Sequence, residues 1–140
     1  VSWTTRLGAT RLVILTRRHA IKPPRPTAWH LFLSGLLANR TERIFAQTEW
    51  PELCPIRWSL PGGWLVVMPR CNEVTARSVW PSEPERTEDH LPDDLYERLV
   101  EHDDYRVPAE NKLFSWGWYA GRLVAVDYGS PEAIEERMRC

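Results

Sequence analysis

Four stretches of this 140-residue chain carry side chains whose types could do chemistry together: Lys22 closing Ala20-Ile21-Lys22, Glu42 further along, Glu110-x-Lys112-x-x-Ser115, and Asp127-Tyr128-Gly129. Asp127 follows the apolar run 122–126. An acid at the end of a buried strand is held rigidly, and the glycine behind Tyr128 lets the chain turn away. A carboxylate fixed in that way is suited to holding a cation. Each residue also has a plainer use. Lys22 could be a solvated strand end, and Glu42 one charge on an exposed helix face. Asp127 could cap a turn. Glu110 and Lys112 could form a surface ion pair worth under about 1 kcal/mol. The choice depends on the elements that position them.

Residues 11–16 (RLVILT) form a Val/Ile/Leu run that reads as a buried strand, and 19–22 (HAIK) a second strand beyond a turn at Arg17-Arg18. Pro23 and Pro24 stop further pairing, because proline has no N–H to donate. Thr27 is an N-cap for a helix reaching about Gln47, with Trp29, Phe32, Leu33, Leu36, Leu37, Ile44 and Phe45 as its apolar face. Glu42 is that helix's one acid. Residues 55–60 and 64–68 read as strands around Pro61-Gly62-Gly63. Residues 70–91, broken by prolines and charges, form a connector. Residues 92–102 are an amphipathic helix with Asp93 and Asp94 at its positive end. Residues 117–127 are a hairpin turning at 119–121, and a last helix covers 132–139. If the hairpin is regular, Trp116 and Trp118 point to one side; the core is the expected place for them, an exposed partner patch the alternative.

The order of strands and helices is an α+β pattern with an antiparallel sheet. One domain spans 1–140: a sheet-plus-helix lobe (1–69), the connector (70–91), and a helix, hairpin and terminal helix (92–140). Eighteen basic residues are scattered and matched by 19 acids, so nucleic acid is not the expected partner. The longest near-apolar run is too short to cross a bilayer, and no signal-peptide pattern opens the chain. Three cysteines without a C-x-x-C pair fit reduced thiols, and the expected location is cytoplasmic.

Taken in order, these motifs resemble the protein-kinase-like fold, over about residues 7–130. Ala20-Ile21-Lys22 looks like the strand whose lysine contacts ATP phosphates. Glu42 then sits where that lysine finds its ion-pair partner. Met68 ends a strand similar to the one leading to the adenine-holding hinge. Glu110, Lys112 and Ser115 match the spacing of the catalytic loop D-x-K-x-x-N, and Asp127-Tyr128-Gly129 looks like the metal-binding D-F-G. The resemblance implies a kinase N-lobe with a truncated second lobe ending just after D-Y-G. It also implies Lys22, Glu42 and Met68 at a nucleotide, Glu110 and Lys112 as catalytic residues, Asp127 and Ser115 at metal, and ATP with Mg²⁺ as cofactors.

The departures bear on activity. Only Gly8 remains of a phosphate-covering G-x-G-x-x-G. Glu110 replaces the catalytic Asp, Ser115 the metal-binding Asn, and Pro108-Ala109 the His-Arg before the acid. Misplacing such groups by about 1 Å can cost about a hundredfold in rate. The expectation is a pseudokinase or weak kinase, of the short kind carried by bacteriophages and prophages, working in the bacterial cytoplasm. The alternative is a phage-encoded binding protein that docks a host or virion protein without nucleotide.

Overall fold

The structure, a computed structural model, describes residues 3–7, 11–83 and 85–129. Its first sheet is five-stranded and wholly antiparallel. In chain order the strands are β1 (Thr4–Leu7), β2 (Leu12–Leu15), β3 (His19–Lys22), β4 (Trp58–Leu60) and β5 (Leu65–Pro69), laid side by side as β1-β2-β3-β5-β4. The expected turn at Arg17-Arg18 joins β2 to β3, closed by the Thr16 N–H on the His19 carbonyl at 2.9 Å. Lys22 lies opposite Val66, and Ala20 opposite Met68. Pairing does not stop at the prolines. Pro23 cannot donate, but its carbonyl accepts from Leu12 N–H at 3.1 Å, and Arg11 bridges Pro24.

Helix α1 (Trp29–Ala46) enters between β3 and β4. Ala28 stands at its N-cap and makes no side-chain cap, so Thr27 is not the cap; its hydroxyl instead accepts from Arg25. The larger correction concerns the buried face. Gly35, Ala38, Asn39, Thr41, Glu42 and Phe45 face inward, while Trp29 (73% exposed), Leu33, Leu37 and Ile44 face out. Of the expected apolar face only Phe45 is buried, with Phe32 and Leu36 half-buried. The small residues let the helix lie close to the chain beneath it. A Cβ on Gly63 would stand 2.1 Å from the Leu36 carbonyl oxygen, and Gly63 already has φ of 81°.

Between the lobes, 70–91 is more than a connector. It contains β6 (Asn72–Glu73) and a short helix α2 (Ala76–Val79), whose N-cap Thr75 forms a reciprocal capping box with Ser78. Strand β4 begins at Trp58 rather than 55, and α3 (Asp93–Val100) is shorter at both ends than 92–102. The hairpin consists of β7 (Trp116–Tyr119) and β8 (Arg122–Ala125) about Ala120-Gly121, both in left-handed backbone. With β6 it makes a second antiparallel sheet, β6-β7-β8. The segment at Leu53 runs parallel to β8, giving and taking backbone hydrogen bonds with Ala125. The terminal helix expected at 132–139 lies outside the described residues.

One hydrophobic core joins these parts. Val66 and Met68 of β5, Phe45 of α1, Val100 of α3, Val124 of β8 and the loop residues Leu91 and Val107 belong to it. Each fully buried side chain of this size contributes roughly 1.5–3 kcal/mol. Trp116 is in the core and Trp118 packs half-buried against it, so the hairpin indoles do not form an exposed patch.

Candidate functional site

Lys22, Glu42 and Asp127 come together, although they lie on a strand, a helix and the segment after β8. Lys22 ends β3, where alternation turns its side chain inward under α1. Glu42 projects from the inner face of α1, with its side chain fully buried and one oxygen 3.4 Å from the Lys22 ammonium. Lys22 also donates to the Val126 carbonyl, which ties the strand to the D-Y-G segment. The Tyr128 N–H donates to the same Glu42 oxygen at 3.3 Å. The Tyr128 hydroxyl donates to the Cys54 carbonyl at 2.7 Å, anchoring the segment from its other side.

The sequence did not single out Arg11, and it is the hub of this cluster. Its guanidinium, 8% exposed, lies 2.6 Å from the second oxygen of Glu42 and 2.6 Å from an oxygen of Asp127. Asn39, fully buried, accepts from Arg11 at 3.2 Å and donates to the carbonyls of Lys22 and Gly63 at 2.8 and 2.9 Å. Nothing in the local sequence distinguishes Arg11 from a charged residue flanking an apolar strand. Its partners are 28 or more residues away.

Burial opposes the charge on all three fully enclosed groups, and the neighbours decide the outcome. Glu42 pays the desolvation cost of burial, but Arg11 and Lys22 more than offset it, so its pKa lies below the ordinary glutamate value. For Arg11, burial is outweighed by Glu42 and Asp127, and the guanidinium is held charged more firmly than usual. For Lys22, burial wins over the attraction of Glu42, and Arg11 adds repulsion; its pKa is lowered.

Gly129 has a role other than turning the chain. Its φ is not positive; instead a Cβ there would meet the Ala38 carbonyl oxygen at 2.2 Å and Glu42 Cγ at 2.7 Å. Only glycine lets the chain after Tyr128 pass against α1 at this distance.

The remaining candidates are placed differently. Ser115 is buried, and its carbonyl accepts from the N–H groups of Val126 (2.9 Å) and Asp127 (3.4 Å), so it borders the centre through its backbone. Glu110 and Lys112 pair with each other at 3.1 Å, with side chains 30% and 52% exposed. Met68 is buried in the hydrophobic core rather than beside the charges. Gly8 lies outside the described residues. Among those described, no group of three or more His, Cys, Asp or Glu side chains could hold a metal ion. Asp127 is already engaged by a guanidinium, so the residues present do not fit a resident Mg²⁺. Cys54 and Cys71 form a further pair that spacing did not reveal, with Sγ atoms 3.5 Å apart.

Comparison of the chain with family models, with curated proteins and with solved structures returned no match.

Proposed function

We propose that this chain is a minimal kinase-like protein, a pseudokinase whose own Arg11 stands where a catalytically competent relative would need a metal ion. The observation that carries the reading is the buried ion-pair cluster. Its lysine ends the third strand, its glutamate sits on the helix that follows, and its aspartate opens Asp127-Tyr128-Gly129. Protein kinases require a Lys–Glu pair between the third strand and the next helix, and an aspartate that binds Mg²⁺. Here the pair is formed and the aspartate is taken. Two acids and two bases leave the cluster neutral without any ligand. Phosphoryl transfer relies on positioning and on stabilising charge at the phosphates. A lysine held by Glu42 and the Val126 carbonyl, and an aspartate held by Arg11, offer little of either.

A second reading, a scaffold that docks a host or virion protein without nucleotide, draws on the outer face of α1. Trp29, Leu33, Leu37 and Ile44 expose an apolar stripe that none of the described residues covers. Exposed apolar stripes of this kind commonly mark contact with other proteins.

Thermal unfolding with and without ATP and Mg²⁺ separates the two readings. A ligand at 100 times its dissociation constant adds about 2.7 kcal/mol to stability. The pseudokinase reading expects no shift for the unmodified chain and a Mg²⁺-dependent shift for Arg11→Ala, in which Asp127 is released. No shift in either protein supports the nucleotide-free scaffold. A Mg²⁺-dependent shift of the unmodified chain, or phosphorylation of an added protein, overturns the idea that Arg11 replaces the metal.

A further inference from the structure

Away from the buried centre, a groove of about 500 Å³ opens between the last turn of α1, the segment 49–59 and the start of β8. Arg43, Arg57 and Arg122 line it from these three parts of the chain. All three are exposed, and none has a side-chain hydrogen bond or ion pair among the described residues. Some other exposed arginines are engaged, Arg6 by Glu73 and Arg106 by Glu101, while Arg17, Arg18, Arg40 and Arg77 resemble the groove's three in having no side-chain hydrogen bond or ion pair among the described residues but lie outside the groove. One acid, Glu49, shares the lining, so the groove is net cationic in a chain whose overall charge is -1.

Two more features narrow the ligand. Trp58 begins β4 and is exposed at the groove's wall, and Trp50 lines it half-buried. Strand β4 is the last strand of its sheet, with β5 on its inner side and no strand on its outer side among the described residues. Such an edge presents unpaired backbone N–H and C=O groups, the template on which an extended peptide can add as a further strand.

We propose that this groove binds an acidic, extended segment of a partner protein, with carboxylates on Arg43, Arg57 and Arg122 and backbone alongside β4. Guanidinium forks match carboxylates in bidentate geometry, and arginine with tryptophan is the pairing that dominates protein–protein hot spots. A peptide fits better than a nucleic acid for two reasons. The basic residues outside the groove are scattered and matched by acids, and a strand edge pairs with a peptide backbone but not with a sugar-phosphate chain. This inference stands whether or not the buried centre takes nucleotide.

Fluorescence anisotropy with a short labelled peptide of alternating Glu and Val tests it, beside a Gln-Val peptide of the same length and a single-stranded oligonucleotide. Binding of the acidic peptide is expected, weakening as salt rises, with the Gln-Val peptide and oligonucleotide bound at least about tenfold more weakly, a gap of about 1.4 kcal/mol. Arg57→Glu with Arg122→Glu should weaken it by at least a similar factor while leaving the melting temperature near that of the parent, since both side chains are exposed. Equal binding of the Gln-Val peptide, tighter binding of the oligonucleotide, or indifference to the double substitution overturns the proposal. Sedimentation supplies one more outcome. Self-association abolished by the same double substitution would assign the groove to a second copy of the chain, whose segment 83–94 is acidic, and would likewise overturn it.

Discussion

Removing the carboxylate of Glu42 tests the buried cluster most directly. In Glu42→Ala, of their partners among the described residues, Lys22 keeps the Val126 carbonyl, Arg11 keeps Asp127 and Asn39, and the Tyr128 N–H loses its acceptor. Breaking a buried ion pair from one side costs about 3–5 kcal/mol, because the partner's charge stays buried. The orphaned N–H adds a penalty of about 1–3 kcal/mol. These do not sum, since Lys22 already has a lowered pKa and can shed its proton once Glu42 is gone. A net loss of about 3–5 kcal/mol is therefore expected, against a total of about 7–21 kcal/mol for a chain of this length at about 0.05–0.15 kcal/mol per residue. Urea unfolding followed by tryptophan fluorescence measures it. Lys22→Met should cost less, because Glu42 keeps Arg11 and a lysine that burial discourages from charging is removed. The pH dependence has a definite sign. A carboxylate with a depressed pKa in the folded state contributes stability that is complete above the ordinary glutamate value, near about 4.3, and lost as pH falls through the depressed one. Glu42→Gln should flatten that acid limb. A Glu42→Ala penalty under about 1 kcal/mol, the level of an exposed pair, would refute the reasoning.

Two further predictions follow from close geometry. Gly129→Ala should destabilise by about 1–3 kcal/mol or more through the clash with the α1 backbone, whereas Gly121→Ala, which meets nothing within 4 Å, should cost only the roughly 1–2 kcal/mol of a left-handed residue; equal values by urea titration would remove the close-packing argument. Mild oxidation with diamide should join Cys54 to Cys71, found by peptide mapping and absent in Cys71→Ser, because the two sulfurs lie 3.5 Å apart and their mutual hydrogen bond lowers the pKa of the Cys71 thiol while it and burial raise that of Cys54; a map showing both thiols free after oxidation would exclude it.

What the sequence made legible was mostly local. The β2–β3 turn lies at the charged break Arg17-Arg18 between two apolar runs, and the 3₁₀ turn at Pro61–Gly63 and the hairpin at Ala120-Gly121 lie where glycine and proline place them. The Lys22–Glu42 contact was expected from the resemblance of Ala20-Ile21-Lys22 and the next helix to their kinase counterparts, with a single acid on that helix to choose from. The inward face of α1 was not, because periodicity reports apolar residues and this helix turns Gly35, Ala38, Asn39 and Glu42 inward to serve the ion pairs. Strand β6 is two residues long and exists only through its pairing with β7, so no local pattern could announce it. Arg11 stayed hidden for the same reason: its meaning lies in Asn39, Glu42 and Asp127, all remote in sequence.

On the kinase-like reading proposed above, the absence of a G-x-G-x-x-G motif and the presence of Arg11 are one arrangement in physical terms. A loop that covers phosphates must bring backbone N–H groups to an anion and leave nearby acids available for its metal. In this chain Arg11 follows directly on Gly8-Ala9-Thr10, and its guanidinium is spent on the two acids instead. A Mg²⁺ ion approaching Asp127 would have to displace a buried guanidinium whose one other carboxylate partner among the described residues is Glu42, which Lys22 already shares. Releasing Arg11 toward water would strip compensation from Glu42, so metal entry is opposed by the same pair that organises the fold. A closed electrostatic unit therefore makes one demand: any substitution that lets Mg²⁺-nucleotide in must act first on Arg11, and Glu110→Asp or Ser115→Asn while Arg11 remains should leave ATP hydrolysis at background.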